Sequence, residues 1–192
     1  MRYSEVDDYR SATLLNLIIV KDYEELLPPI IKGKIVAIVG AGPSLSKVKE
    51  IDAEVVISAD GATNYLVEIG ITPDIVVTDL DGISTYPPSI YVVHAHGDNY
   101  SLLWKVKHMR KVIGTCQVRP FGKLHLYGGF TDGDRAYVIA RKFGANSIKF
   151  FGWDLESDLT GKYSKPYLLS DTLNTKQKSI KLRVASTILS VF

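Results

Sequence analysis

Apolar positions along this chain follow two different periods. Between residues 8 and 27, Ala12, Leu15, Leu17, Ile18 and Leu26 recur at roughly helical spacing, and Pro28-Pro29 ends the run. From Lys34 the pattern shifts to short apolar runs: KIVAIVG (34–40), EVVISAD (54–60), DIVVTD (74–79), IYVVHAH (90–96) and SIKFFGWD (147–154). Rich in Val and Ile and lacking a polar face, these runs predict parallel strands covered on both sides. The intervening stretches 61–70, 98–113 and 131–144 predict helices, with Asp98 and Thr131 as N-caps of the last two. GTCQVRPFGKLHLY (114–127) reads equally as strand or loop, and 155–173 is irregular. KQKSIKLRVASTILSVF (176–192) predicts an amphipathic helix with Ile180, Leu182, Val184, Ile188 and Leu189 toward the core. The expected fold class is α/β, a Rossmann-like doubly wound, mostly parallel sheet flanked by helices. One domain spans 1–192: an N-terminal helical segment (1–30), an α/β core (34–154) and a C-terminal helix (174–192).

Composition narrows the class without naming a function. The 192 residues, 46% hydrophobic and 23% charged, suffice for one domain with a real core. A net charge of +2 argues against a nucleic-acid binder or a membrane-surface protein. The basic stretch WKVKHMRK (104–111) therefore reads as a solvated helix face. A single cysteine, Cys116, excludes an internal disulfide and a cysteine zinc site, and suits a reducing compartment. No apolar segment is long enough for a membrane span and the N-terminus does not read as a signal peptide, so a cytoplasmic protein is expected.

The polar ends of the apolar runs carry the chemistry. Asp60 ends the second strand, Asp79 and Asp81 the third, His96 and Asp98 the fourth, and Asp154 the last. Parallel strands present their C-termini along one edge, so acids far apart in sequence meet there. Clustered carboxylates repel unless a cation neutralises them, and Mg²⁺ with bound phosphate is the economical one. Asp-Gly at 60–61, 81–82 and 132–133 also suits simple turns. His94 and His96 fall on one strand face, yet Asp98 is the better metal ligand. VGAGPSL (39–45) places Gly40, Gly42, Pro43 and Ser44 in a ligand-facing turn, but Leu45 replaces the third glycine of a dinucleotide fingerprint. In GGFTDGDRA (128–136), Arg135 either clamps a phosphate or pairs with Asp132 or Asp134 at the surface.

Taken together, GAGPSL, SADGA, PDIVVTDLDG, HAHGDN, GGFTDGDRA and KSIKL resemble the archaeal 6-hydroxymethyl-7,8-dihydropterin pyrophosphokinase family, whose core is similar to the thiamin pyrophosphokinase catalytic domain. The resemblance implies magnesium-dependent transfer of diphosphate from ATP to a hydroxymethyl-pterin, releasing AMP, in folate- or methanopterin-type cofactor synthesis. It implies Asp79, Asp81 and Asp98 as catalytic metal ligands. Asp60, Gly61, His96, Asn99, Thr131, Asp132, Asp134, Arg135 and Asp154 would line the nucleotide or pterin site with the GAGPSL turn. Lys178 and Lys181, if the last helix folds back, would face phosphate oxygens. ATP and the pterin are the expected partners, without nucleic acid or membrane; a homodimer is left open. Three alternatives stay open: a thiamin-type diphosphotransferase, a non-catalytic nucleotide-binding module, and a haloacid-dehalogenase-like phosphatase with Asp79 as nucleophile. The phosphatase family normally opens with this strand near its N-terminus and continues DGT or DGV, whereas Ile83 follows Gly82 here.

Overall fold

The computed structural model describes residues 4–191. The apolar runs become β1 (Ile35–Val39), β2 (Val55–Ala59), β3 (Ile75–Thr78), β4 (Ile90–Ala95) and β7 (Ser147–Phe151). The ambiguous stretch supplies the end of β5 (Lys111–Cys116) and the short β6 (Leu124–His125). These strands form one sheet in the order β6-β5-β4-β3-β2-β1-β7, and each neighbouring pair is parallel. β1 to β4 lack a polar face because both their faces are covered, whereas β7, at the sheet edge, has no fully buried residue and leaves Ser147 and Phe150 exposed, against the expectation. On one face, α1 (Glu5–Ile18) and the 3₁₀ winding Gly97–His108 bury Leu15, Val76, Tyr91 and Leu103, while α3 (Ala62–Glu68) buries Tyr65 and Leu66 beside Val39. On the other, α2 (Leu27–Ile31) and α4 (Asp132–Lys142) cover Val36, Ile57, Val77 and Val92. The final helix, α5 (Lys176–Val191), lies against α4. No helix among the described residues is long and apolar enough to cross a membrane.

This topology creates the crevice. From β1 the chain steps outward to β6, then returns through α4 to β7 on the far side of β1. That reversal opens a space outside the strand C-termini, where ligands of open parallel sheets bind.

Several local expectations give way to tertiary structure. The single helix expected over 8–27 ends at Ile18, and Pro28-Pro29 sit in the first turn of α2. A missing N–H costs nothing there, since first-turn donors lack intrahelical acceptors anyway. Leu17 is exposed, as is Ile180 in α5, where Ala185 is the buried contact instead. His125 of β6 lies between Asp22 (2.7 Å) and Glu24 (3.4 Å), pinning the link between α1 and α2 to the sheet edge. The helix expected over 98–113 is a 3₁₀ winding followed by a buried strand, and its N-cap is His96 rather than Asp98.

The irregular stretch 155–173 holds a small antiparallel pair, β8 (Leu159–Thr160) with β9 (Thr172–Leu173). Residues 161–165 cross the C-terminal ends of the strands as a strap. Its backbone approaches so closely that a Cβ at Gly61 would collide with the Tyr163 carbonyl, and one at Gly82 with Ser164 and the Asp60 carboxylate. Gly61→Ala is therefore expected to destabilise the protein by about 1–3 kcal/mol, the usual range for overpacking. It should also expose residues 155–175 to protease, checked by urea melts and limited proteolysis. Parent-like resistance and stability would show that the close fit is not needed.

Candidate active site

Each strand end contributes through a specific backbone device. Asp60 follows β2 with φ +45°, a left-handed conformation tolerated by Asp, and its Oδ1 accepts a 2.6 Å hydrogen bond from Thr78 Oγ1. Thr78 Oγ1 in turn accepts from the Leu80 amide at 2.8 Å. Leu80, fully buried, sits at φ +77°, and Lys105 Nζ donates to its carbonyl at 2.6 Å. A bulky residue holds such a conformation only where its surroundings over-determine it. This kink separates Asp79 from Asp81.

Asp79 is held through both its backbone and its carboxylate. Asn99 Nδ2 donates to its carbonyl (2.8 Å) and to that of His94 (2.6 Å), locking the ends of β3 and β4 together. His96 Nδ1 accepts from the Asp98 amide, which leaves Nε2 as the protonated nitrogen, 3.5 Å from Asp79 Oδ2. At the start of α4, Asp134 closes a capping box with Thr131, and Asp132 lies one turn before Arg135. Arg135 Nη1 donates to Asp132 Oδ1 at 3.2 Å, and Arg135 is buried. The pair is therefore interior, unlike the surface bridge the sequence also allowed.

Carboxylate oxygens of Asp60, Asp79 and Asp132 lie within 4.8 Å of one another. They face a cavity of about 540 Å³ that Asp81, His94, His96, Arg135, Lys165, Lys178 and Lys181 also line. Burial first, then repulsion from Asp79, pushes Asp60 and Asp132 well above the ordinary carboxylate range. The same two causes raise Asp81. Burial also works against ionised Asp79, but hydrogen bonds from His96 and Asp81 and the charge of Lys165 outweigh it and hold Asp79 ionised. Burial and the neighbouring lysines lower Lys178, whereas the attraction of Asp60 and Asp81 overcomes burial and raises Lys165.

The structure redistributes the expected site. Asp60, Asp79, Asp81, Asp132, Arg135, Asp154, His96, Thr131, Gly40, Gly42, Gly61, Lys178 and Lys181 all line the cavity. Asp98 does not: it is exposed, and Asp81, though in the cavity wall, pairs with Lys165, so Asp60 and Asp132 rather than Asp81 and Asp98 complete the trio with Asp79. Asp134 and Asn99 are buried framework residues, spent on the α4 cap and on Asp79. Pro43 opens a five-residue 3₁₀ turn, too short for an anion-binding helix terminus, and Ser44 donates through both N and Oγ to Asp154 at 2.8 Å. Sequence reasoning missed Lys165, Trp153, Phe130, Asp8 and Gln117. The last two line the cavity while bonded to each other, with Gln117 Nε2 2.7 Å from Asp8 Oδ2.

The family model described as 6-hydroxymethylpterin diphosphokinase MptE-like matches residues 11–158, well over half of the chain. The chain belongs to this family. A relative from Pyrococcus furiosus named 6-hydroxymethyl-7,8-dihydropterin pyrophosphokinase is 43% identical, over 98% of this chain and 86% of its own. Relatives of the same name from Methanocaldococcus jannaschii (37% identical, 95% of this chain, 86% of its own) and Methanothermobacter thermautotrophicus (41%, 78% and 70%) agree. Among solved structures, the MAf glycosyltransferase from Magnetospirillum magneticum matches with a TM-score of 0.53 at 16% identity, covering 81% of this chain and 28% of that one. That likeness concerns the fold alone. The MptE-like match ends before Lys165, Lys178 and Lys181, so the strap and α5 add cations from outside the matched range.

Proposed function

We propose that the chain transfers diphosphate from ATP to 6-hydroxymethyl-7,8-dihydropterin, giving the pterin diphosphate and AMP, with Mg²⁺ as its metal. The observation that carries this reading is the carboxylate trio facing Arg135, Lys165, Lys178 and Lys181 across one cavity. Its volume of about 540 Å³ is that of a small-molecule site, about 300–1,000 Å³. The names of the archaeal relatives support the substrate.

The residues suit a magnesium ion. Asp60, Asp79 and Asp132 offer hard oxygen donors from three separate elements, and their mutual repulsion calls for a cation. An ion held there supplies neutralisation of phosphate charge. The protein's own part is positioning. His96 and Asn99 fix Asp79, Arg135 is seated by Asp132, and Lys178 and Lys181 line the cavity from α5, where they would meet phosphate oxygens. In the transfer, the hydroxymethyl oxygen bonds to the β-phosphorus as the bond from that phosphorus to the α-phosphate oxygen breaks. AMP leaves with the bridging oxygen, and the alcohol proton passes to solvent. Positioning and charge stabilisation supply most of the catalysis in such reactions.

Incubation with ATP, Mg²⁺ and a panel of hydroxymethyl heterocycles is expected to yield AMP with the dihydropterin and little with thiamin. ADP as product would overturn diphosphate transfer, inorganic phosphate would restore the phosphatase reading, and a thiamin preference would overturn the substrate.

A further inference from the structure

Lys165 reaches the acidic cluster from outside the sheet. Its ammonium pairs with Asp81, and the negative charges of Asp60 and Asp79 attract it as well. The strap that carries it rests on Gly61 and Gly82, two glycines that follow carboxylates of the same cavity. The backbone beneath Lys165 is thus tied to the turns that aim Asp60 and Asp81. Its side chain remains 31% exposed at the cavity wall. A four-carbon stem lets that charge swing while the strap stays seated.

We propose that Lys165 is an internal counter-ion that exchanges partners during binding: it holds Asp81 while the cluster lacks a metal, and turns to the nucleotide phosphates once a metal is bound. The proposal rests on the diphosphotransfer reading. Asp60 and Asp79, two of the three carboxylates that would hold the ion, also attract Lys165, so metal entry weakens the hold of the cluster on it. The triphosphate then offers acceptors of the opposite charge, and charge-assisted bonds to phosphate are among the stronger contacts available. Lys178 and Lys181 differ in lying on α5, and neither has an ion pair with a carboxylate of the cluster among the described residues.

Two binding measurements without turnover test this. Titration with Mn²⁺ alone should show Lys165→Met binding the ion roughly two- to fivefold more tightly than the parent, the scale of a modest ion-pair competition. With saturating Mg²⁺, a non-hydrolysable ATP analogue should bind the same variant about tenfold or more weakly. Lys165→Arg keeps the charge and should restore parent Mn²⁺ affinity. Lys162→Met, on the same strap but stacked over Tyr163, should leave both affinities unchanged. Equal or weaker Mn²⁺ binding by Lys165→Met overturns the counter-ion role. Tighter Mn²⁺ binding with unchanged analogue affinity overturns the exchange. Absence of AMP formation by the parent would sink the reaction assignment instead, and would leave the Mn²⁺ comparison intact.

Discussion

Asp132→Asn is expected to lower turnover by about 10²- to 10³-fold, comparable to losing one preorganised electrostatic group. The same change should raise the thermal midpoint of the metal-free protein. Two effects oppose each other here. The substitution removes the charge that pairs with Arg135, which by itself destabilises a buried ion pair. It also removes a buried charge repelled by Asp79. The balance is visible in Asp132 itself, because burial and repulsion outweigh the Arg135 attraction and push its ionisation well upward. Asn keeps an oxygen for the Arg135 hydrogen bond while dropping that charge. Stabilisation by Mg²⁺-nucleotide should shrink in parallel, since a ligand that binds the folded state stabilises it by mass action. Asp98→Asn supplies the contrast: exposed and outside the cavity, it should keep turnover within about twofold, as surface substitutions usually do. Thermal melts with and without Mg²⁺ and analogue, beside turnover, decide the matter. Parent-like turnover in Asp132→Asn would remove it from the proposed metal ligands, and a large loss in Asp98→Asn would return that residue to them.

That contrast marks where sequence reading stops. The five apolar runs located five strands: β1 to β4 because central parallel strands bury both faces and need no alternating pattern, and β7 as an apolar run left half-exposed at the sheet edge. Asp79 was legible as the end of such a run. Asp98 lies beyond the end of β4, where the path of the loop decides which way a side chain points. There the chain winds into a 3₁₀ helix, the Asp98 amide turns in to His96, and the carboxylate stays in solvent. β5 was hidden because VIG follows a helically spaced stretch directly, and a short apolar run has no period of its own. Gly61 and Gly82 looked like turn residues beside Asp, and they are. What they also do, admitting the strap, depends on a segment some 80 to 100 positions later. Nothing in the irregular sequence around Lys165 signals that approach.

The cluster also predicts how metal-free stability should vary with pH. Asp60 and Asp132 have folded-state pKa values raised above the unfolded value of about 4. Their contribution is therefore fully present below that value and lost as pH rises through the raised pKa, because ionisation charges a buried cluster. Asp81 adds in the same direction. Asp79, shifted downward, contributes stability above about pH 4 and loses it only under strong acid. Lys165, raised, acts at the alkaline end. Surface carboxylates such as Asp52 and Glu54, held low by lysines, oppose the trend in acid, so the raw melt curve mixes both signs. Subtraction isolates the cluster. The stability of Asp132→Asn relative to the parent should grow as pH rises from about 4 toward about 8, since only the parent ionises that carboxyl. Saturating Mg²⁺ with an ATP analogue should reverse the difference at neutral pH, because the ion rewards the charge that free protein penalises. A difference that stays flat across the range, or that favours the parent at high pH without metal, would show that Asp132 is not held in a repulsive cluster.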